Sequence, residues 1–354
     1  MPRGSYGIFM KIVHLASIFL LCMSSAAFSA DTDAVRTERS VGADFAYYPA
    51  DQKGYGVSDG GFAPLSYTVE ESDGSPNTRD LGSTWGGVEA KGYYIQRWII
   101  PALRWSDGPL AAGNNVTIQS QTGVSPISLT QQVQVTATPI ALLQFTGGVQ
   151  AGTGWNVQLF DGLGEVDTVS GEMDDGSLEG IVLDLYLGTT IQFDLAAVVP
   201  GDWNHVVAVY SPKWTWKTFT GASASAPWSF ENDPGDNYQG WIFGQTVFLG
   251  YQPPGMALQT TGFLLETERK VGETVDRATA SGTGDWEPDF LETKLALVLN
   301  FSIGEIHSLT ILSQLSRDRL ASDSTIFNGA LQARDVVGSY WDAYRIALSW
   351  RRSL

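Results

Sequence analysis

Cysteine and positive charge are both scarce in this chain. Only one of its 354 residues, Cys22, is a cysteine, and it lies in the N-terminal stretch. The remainder of the chain therefore has no cysteine with which to form a disulfide. Lys and Arg number 21 against 38 Asp and Glu, which gives a net charge of −17. Because contact with nucleic-acid phosphates needs a basic surface, this balance excludes nucleic acid as a partner.

Long apolar runs are confined to the N-terminus. Whether the start is Met1 or Met10, Lys11 precedes an apolar stretch at 12–23 and the small-residue segment that ends at Ala30. This order is typical of a cleaved secretory signal peptide at 1–30. No later run reaches about 18 apolar residues, so no transmembrane helix is expected. An exported chain without disulfides must be stabilised by its own core, by a membrane or by both.

Long alternating segments dominate the rest of the sequence. In "GIVLDLYLGTTIQFDLAAVV" (180–199), apolar side chains from Ile181 to Val199 share one parity, and Asp184, Gln192 and Asp194 share the other. Period two predicts a β-strand with one dry face and one wet face. A strand of this length is longer than the usual strand of about five or six residues. Similar segments lie at 41–50, 91–105, 115–122, 127–138, 140–152, 203–219, 240–252, 256–268, 290–301, 305–316 and 340–350.

The connectors between these segments alternate between short and long. Tight Pro/Gly turns stand at 200–202, 253–255 and 302–304, and polar loops occupy 153–179, 220–239, 271–289 and 317–339. An antiparallel sheet that spans a membrane has short turns on one side and long loops on the other. Open sheet edges are too costly in hydrocarbon, so the sheet must close. We expect an all-β, up-and-down transmembrane barrel of about twelve strands (ten to fourteen), with short periplasmic turns and long extracellular loops.

Aromatic spacing favours a membrane over a soluble sandwich, which would also alternate. Trp241 and Tyr251 are ten residues apart on one parity, and so are Tyr340 and Trp350. Ten residues of a tilted strand rise about 25 Å, the height of a barrel's apolar band. The predicted membrane-interface aromatics are Trp214, Trp216, Trp241, Tyr251, Tyr340 and Trp350.

Together with the final strand "YRIALSW", these features resemble bacterial outer-membrane β-barrel proteins. The segment 138–155 weakly resembles uncharacterised spirochaete-type outer-membrane proteins. The resemblance implies a location in the bacterial cell outer membrane, contact with outer-membrane lipid, and recognition of the C-terminal strand by the assembly machinery. The C-terminal strand of such barrels usually ends on an aromatic residue, and the sequence departs from this pattern because "RRSL" follows Trp350. The expected organisation is a signal peptide at 1–30, a tentative first strand with a long polar loop at 31–83, and the barrel at 84–354.

Charged residues on the wet parity are predicted to line the lumen. They either select small-molecule solutes by charge or pair across strands and seal a narrow barrel, and Asp184 and Asp194 are placed to pair with Lys213 and Lys217. The candidates are Arg97, Asp184, Asp194, Lys213, Lys217, Glu292, Lys294 and Arg345. A porin-like channel for small solutes is the leading hypothesis. The alternatives are a plugged surface barrel that acts as an adhesin or structural protein, and a soluble secreted carbohydrate-binding β protein.

Catalytic and metal-binding motifs are scarce. Past the signal segment only His205 and His307 could serve as a histidine base, and neither HExxH nor GxSxG occurs, so no enzymatic activity and no cofactor are predicted. The acidic clusters at 171–180 and 231–237 are interpreted as solvated loops. No metal site is predicted, with Asp174, Asp175 and Glu179 as a weaker alternative for Ca²⁺.

Overall fold

The computed structural model describes residues 34–48, 66–70, 76–80, 87–102, 110, 113–157, 162–169, 171, 173–231, 235–321 and 331–354. Strands make up most of these residues. They are β1 (Arg36–Tyr48), β2 (Ser66–Glu70), β3 (Pro76–Asp80), β4 (Gly87–Pro101), β5 (Asn115–Ser125), β6 (Ser128–Ile140), β7 (Leu143–Gly154), β8 (Leu163–Glu165), β9 (Val182–Asp194), β10 (Val206–Phe219), β11 (Trp228–Phe230), β12 (Gly240–Tyr251), β13 (Leu258–Val271), β14 (Glu292–Ile303), β15 (His307–Ala321) and β16 (Val336–Ser353).

Helical structure is slight in the described part of the chain. It consists of one α-helix, α1 (Glu273–Ser281), and 3₁₀ turns at Leu195–Ala197 and Leu331–Ala333. None of the described helices is both long and apolar enough to cross a membrane.

Twelve of the strands form one closed antiparallel barrel. Around the ring the order is β1-β16-β15-β14-β13-β12-β10-β9-β7-β6-β5-β4, and β1 closes it by pairing with both β16 and β4. Phe45, for example, lies opposite Leu348 on one side and Ala90 on the other. The predicted up-and-down barrel is therefore confirmed. Because β1 is a full member of the ring, the barrel begins before residue 84, whereas residues 1–30 lie outside the described part.

The alternation of each strand separates an apolar outer face from a polar inner face. In β9, Leu187 on the outer face is 66% exposed, while Asp184 on the inner face is 4% exposed. Leu185 and Ile191 are exposed on the same outer face as Leu187. A continuous outer belt of exposed leucine, isoleucine and valine would be unfavourable in water and suits contact with lipid. The strands are long because they must cross that apolar layer.

The two ends of the barrel differ as the connector pattern predicts. At one end, here called the short-turn end, lie the connections 102–114, 141–142, 195–205, 252–257 and 304–306. At the other, the long-loop end, lie the connections 49–86, 126–127, 155–181, 220–239, 272–291 and 322–335. There are exceptions at both ends: 126–127 is a two-residue connection at the long-loop end, and 102–114 and 195–205 are longer connections at the short-turn end. Arg36 and Ser353, where the first and last strands begin and end, are both at the short-turn end.

A bulge in β16 corrects one prediction about its aromatic residues. Gln314 lies opposite Arg345 but Leu315 lies opposite Ala343, so Tyr344 is an extra residue in β16. The bulge reverses the parity beyond it. Tyr344 is buried inside the barrel against Tyr48, with ring centroids 5.5 Å apart. The prediction that Tyr340 shares the outer face with Trp350 is wrong, since Trp341 is the strongly exposed aromatic there.

The interior has two chemically different halves. From β10 through β16 to β1 the inner wall carries a buried apolar cluster that includes Val209, Leu264 and Leu312. Phe248 fits this cluster because its ring covers Gly250 and Gly262, where a Cβ would lie 2.4 and 2.8 Å from the ring. The opposite wall, on β5–β7, is built instead from buried amides: Gln119, Gln121, Gln132, Gln134 and Gln144.

Candidate functional site: the barrel interior

The structure places all eight predicted lumen residues on inner faces of the barrel. They are Arg97 on β4, Asp184 and Asp194 on β9, Lys213 and Lys217 on β10, Glu292 and Lys294 on β14, and Arg345 on β16. Arg97 Nη2 donates to Gln119 Oε1 at 3.1 Å, and its Nη1 lies 3.7 Å from Glu38 Oε2. Whether these charges select solutes stays a prediction.

The strand register brings one of the two predicted aspartates opposite a predicted lysine. Asp184 lies directly opposite Lys217. Lys213, however, lies opposite Gly188, and Asp194 lies opposite Val207, near the short-turn end. Asp194 Oδ2 contacts His205 Nδ1 at 2.7 Å instead. Pairing of Asp194 with the lysines is therefore wrong, because the register separates them by several residues along the strands.

A second charged group lies at mid-height on the inner wall formed by β13, β14 and β16. Glu266 on β13 lies opposite Lys294, and its Oε2 accepts a hydrogen bond of 3.0 Å from Gln314 Nε2. The Lys294 Nζ lies 4.4 Å from the centroid of the Tyr344 ring. Arg345 is only 1% exposed. At this level the wall charges are packed against one another and against aromatic rings, which seals this side of the interior.

At the long-loop end a segment turns inward onto lysines of the barrel wall. Its described residues, Phe230, Glu231 and 235–238, are here called the strap. Three lysines of the wall hold it. Lys91 Nζ donates to Glu231 Oε1 at 2.7 Å, and Lys270 Nζ donates to Asp236 Oδ2 at 2.7 Å. Lys217 Nζ donates to Asn237 Oδ1 at 2.6 Å. Charge-assisted contacts of this length are the strong class of protein hydrogen bond.

These lysines stand on opposite sides of the ring. Lys91 is on β4 and Lys270 on β13, five strands apart in one direction and seven in the other. The chain from Glu231 to Asp236 can extend over at most about 18 Å. With a lysine side chain reaching inward from each wall, Glu231 and Asp236 are held from opposite sides of the barrel near its long-loop end.

Other loops hold the strap from outside. Trp228 precedes the strap and Phe230 begins it, and both pack with Leu163, Val182 and Phe219 in a buried cluster. Trp228 lies opposite Glu165 in the small β8–β11 sheet. Gln332 Nε2 donates to the Gly235 carbonyl oxygen at 3.0 Å, and the Tyr238 ring lies 6.2 Å from that of Trp286. The loops and the strap thus form a cap with its own apolar core.

This arrangement corrects the interpretation of 231–237 as a solvated loop. Asp236 is buried, and Ser128 Oγ donates a further hydrogen bond to Glu231. Asp233 lies outside the described residues. Lys91 and Lys270 are not among the predicted lumen residues. The sequence places both lysines on the inward-facing parity, close to the long-loop end of their strands. This position could have indicated an acidic partner in a loop, because a buried lysine requires one.

The pKa of the Asp236 carboxyl lies below its ordinary value. Burial opposes its ionisation, but the charges of Lys270 and Arg319 and the hydrogen bond from Lys270 outweigh burial. An acid whose pKa falls on folding stabilises the fold above its unfolded-state pKa of about 3.9, and that stabilisation is lost as the pH drops through the folded value. The tie between Asp236 and Lys270 therefore persists across neutral pH.

We expect Asp236→Asn to lower the thermal stability of the cap equally at about pH 8 and about pH 5. The loss is on the order of 1–3 kcal/mol, the size of a hydrogen bond between charged groups. Below about pH 4 the difference from the wild type should shrink, because the wild-type carboxylate becomes protonated. Thermal unfolding in detergent, with Asp202→Asn in an exposed turn as the matched control, measures this. A difference that is largest in acid would contradict the assignment.

The acidic residues of the 155–181 loop are arranged for local hydrogen bonding. Asp175 Oδ1 accepts bonds from both the backbone N and Oγ of Ser177, at 3.1 and 2.5 Å, which lowers the pKa of Asp175. In the described part of the chain, no three His, Cys, Asp or Glu side chains are grouped as metal ligands. The loop therefore does not bring Asp174, Asp175 and Glu179 together as a group of metal ligands.

Outward-facing aromatics stand at both ends of the barrel. Trp214 packs against Phe243 with centroids 4.7 Å apart, and Trp216 lies opposite Trp241, all toward the long-loop end. At the short-turn end Tyr251 is outward on β12, and Trp350 stacks on His307 at 5.7 Å. Their role as membrane-interface anchors stays a prediction.

A closed antiparallel barrel with an apolar outer face and a polar, charged inner face is the architecture of bacterial outer-membrane β-barrel proteins, and the chain has the fold of that class. No family model and no curated protein matches the chain.

Solved structures that align with the chain include three named as porins or channels. One is the KdgM porin, at 7% identity and a TM-score of 0.35, over 89% of this chain and 99% of that one. Another is an outer membrane channel from Pseudomonas putida F1, at 10% identity and a TM-score of 0.39, over 93% of this chain and 100% of that one. A third is the outer membrane channel DcaP of Acinetobacter baumannii, at 10% identity and a TM-score of 0.33, over 93% of this chain and 100% of that one. Because these scores are low, the class assignment rests on the closed sheet of this chain.

Proposed function

We propose that the protein is a porin-like channel for small solutes in the bacterial outer membrane, closed at its long-loop mouth by the strap. The observation that carries this proposal is the set of three lysine contacts that hold the strap across the lumen. The strap is tied by polar contacts from separate strands. Such contacts can be exchanged for water or for a solute without unfolding the barrel wall.

The lumen charges then have two different roles. Lys294, Glu266 and Arg345 are buried and seal the wall on which they lie. Lys213 remains half-buried on the inner face of β10, where water reaches it, and is the residue placed to influence passing ions. Selection by charge is therefore proposed for Lys213 rather than for the whole set.

A permanently plugged surface barrel, acting as an adhesin or structural protein, is the second candidate. The burial of Asp236 and Asn237 favours it, because a plug that never moves would also be buried. A soluble carbohydrate-binding protein is disfavoured by the exposed outer belt, which includes Leu187, Phe263 and Ile346.

Single-channel recording of the refolded chain in planar bilayers tests the proposal. Correct folding is first established by heat-modifiable migration on a gel. We expect discrete conductance steps whose preference for cations increases in Lys213→Glu. Tyr94→Leu, on the lipid-facing side of β4, is the matched control and should leave the preference unchanged. A folded chain that gives no steps, even after the strap contacts are removed, would establish the plugged barrel instead.

A further inference from the structure

One part of the interior is open to water. Inner residues of β6 and of β13–β16 are largely buried, but those in the middle of β7 and β9 are only half-buried. Apart from glycines and Asp194 at the short-turn end of β9, the half-buried inner residues are Thr146, Gln150, Tyr186, Thr190 and Gln192. All five are uncharged at neutral pH, and all but Tyr186 are aliphatic hydroxyl or amide side chains. This strip presents uncharged hydrogen-bonding groups to the lumen.

Tyr186 is fixed flat against this strip. Its hydroxyl accepts a hydrogen bond of 2.7 Å from Gln132 Nε2 and donates one of 2.9 Å to Gln134 Oε1. Both glutamines are on β6, whereas Tyr186 is on β9, so the ring must cross the intervening strand β7. It crosses at Gly148, where a Cβ would lie 2.4 Å from the tyrosine hydroxyl. One ring face therefore rests on the wall and the other faces the lumen.

A glycine adjoins this ring. Gly188 follows Tyr186 on the inner face of β9 and lies between Thr146 and Lys213 on the neighbouring strands. A Cβ at Gly188 would lie 3.2 Å from the Pro212 carbonyl oxygen and 3.7 Å from the Lys213 side chain. The Lys213 Nζ lies 5.8 Å from the Tyr186 ring centroid. The ring is thus bordered by a position without a side chain, by the Thr146 hydroxyl beyond it and by the Lys213 ammonium.

We propose that Tyr186, Thr146, Thr190, Gln150 and Lys213 form a binding site for a neutral, hydroxyl-rich ring, such as one unit of a sugar. This inference rests on the proposed channel and names its solute class. The apolar C–H face of a pyranose packs on a tyrosine ring, while its rim hydroxyls exchange hydrogen bonds with amides, hydroxyls and an ammonium. Lys213 also disfavours cationic solutes, because its own positive charge lies close to the ring and repels them.

Calorimetric titration of the detergent-solubilised, refolded barrel with maltose tests the site without requiring conductance. The Glu231→Gln/Asp236→Asn variant is used as the background so that the strap does not limit access. Sorbitol, which has the hydroxyls but no ring face, is the matched ligand control. We expect maltose to bind and sorbitol to bind at least about tenfold more weakly, the size of an aromatic contact.

Variants at the ring separate stacking from hydrogen bonding. Tyr186→Leu should weaken maltose binding about tenfold or more, and Tyr186→Phe should keep most of it, because the ring face remains. Tyr94→Leu, on the lipid-facing side of β4, should have no effect. Equal binding of maltose and sorbitol, no binding of maltose, or no effect of Tyr186→Leu would overturn the assignment. Since ion conductance is recorded separately, the site and the channel can fail independently.

Discussion

Removing the two acidic ties of the strap with Glu231→Gln/Asp236→Asn should open the channel. Each charge-assisted hydrogen bond to a buried lysine contributes about 1.5–3 kcal/mol, so losing two shifts the closed-to-open ratio by about a hundredfold to ten-thousandfold. In planar bilayers we expect the open state to become dominant, with larger mean current at the same applied voltage. The reciprocal change, Lys91→Gln/Lys270→Gln, removes the charges of the same contacts from the wall side. It should also favour the open state and increase the mean current.

The matched control removes two negative charges from a neighbouring loop. Asp175 and Glu179 lie in the 155–181 loop and do not contact the strap lysines in the structure. Asp175→Asn/Glu179→Gln should therefore leave the open probability unchanged, which separates loss of a specific tie from loss of surface charge. If the strap variant and this control behave alike, the strap is not the gate. Combining the acid and lysine variants as a double-mutant cycle then measures the coupling of each pair.

Strand positions were largely predictable because every barrel strand has to satisfy the same two environments. Lipid on one side and the lumen on the other impose period two over the whole strand, and this signal survives in β6 and β9. All twelve predicted segments correspond to barrel strands. The bulge at Tyr344 could not be predicted in this way. One inserted residue leaves the composition unchanged and reverses the parity, so Tyr340 and Trp341 exchange faces.

The candidate site was predictable only in part. Strand parity alone places Lys217 and Asp184 on inner faces, and antiparallel register brings them opposite each other. The strap was not predictable, because an acidic Gly/Pro-containing loop has the same composition whether it is solvated or folded inward. What decides its position is contact with Lys91 and Lys270, over 140 and 34 residues of sequence separation respectively. Such pairs leave no local pattern.

The largest loss of stability in the cap is expected from Trp228→Ala. The Trp228 side chain is 0% exposed and packs with Leu163, Phe219 and Phe230. Truncation of a buried tryptophan costs about 3–5 kcal/mol. The cap has its own core, separate from the apolar cluster inside the barrel, so we expect the loss to be local. Limited proteolysis should cut the 155–181 and 220–239 loops of this variant, while the barrel strands keep their heat-modifiable migration.

Trp228→Phe distinguishes packing from hydrogen bonding at the same position. The indole Nε1 is buried without a hydrogen-bond partner, so phenylalanine removes an unsatisfied donor and keeps most of the apolar contact. We expect Trp228→Phe to lower the stability of the cap far less than Trp228→Ala does. Trp203→Ala, in the exposed 195–205 turn, should leave the cap intact. Collapse of the whole barrel in Trp228→Ala would show that the cap and wall fold as one unit. Because the strap begins two residues after Trp228, local loss of the cap should also raise conductance, and this links the apolar core of the loops to closure of the channel.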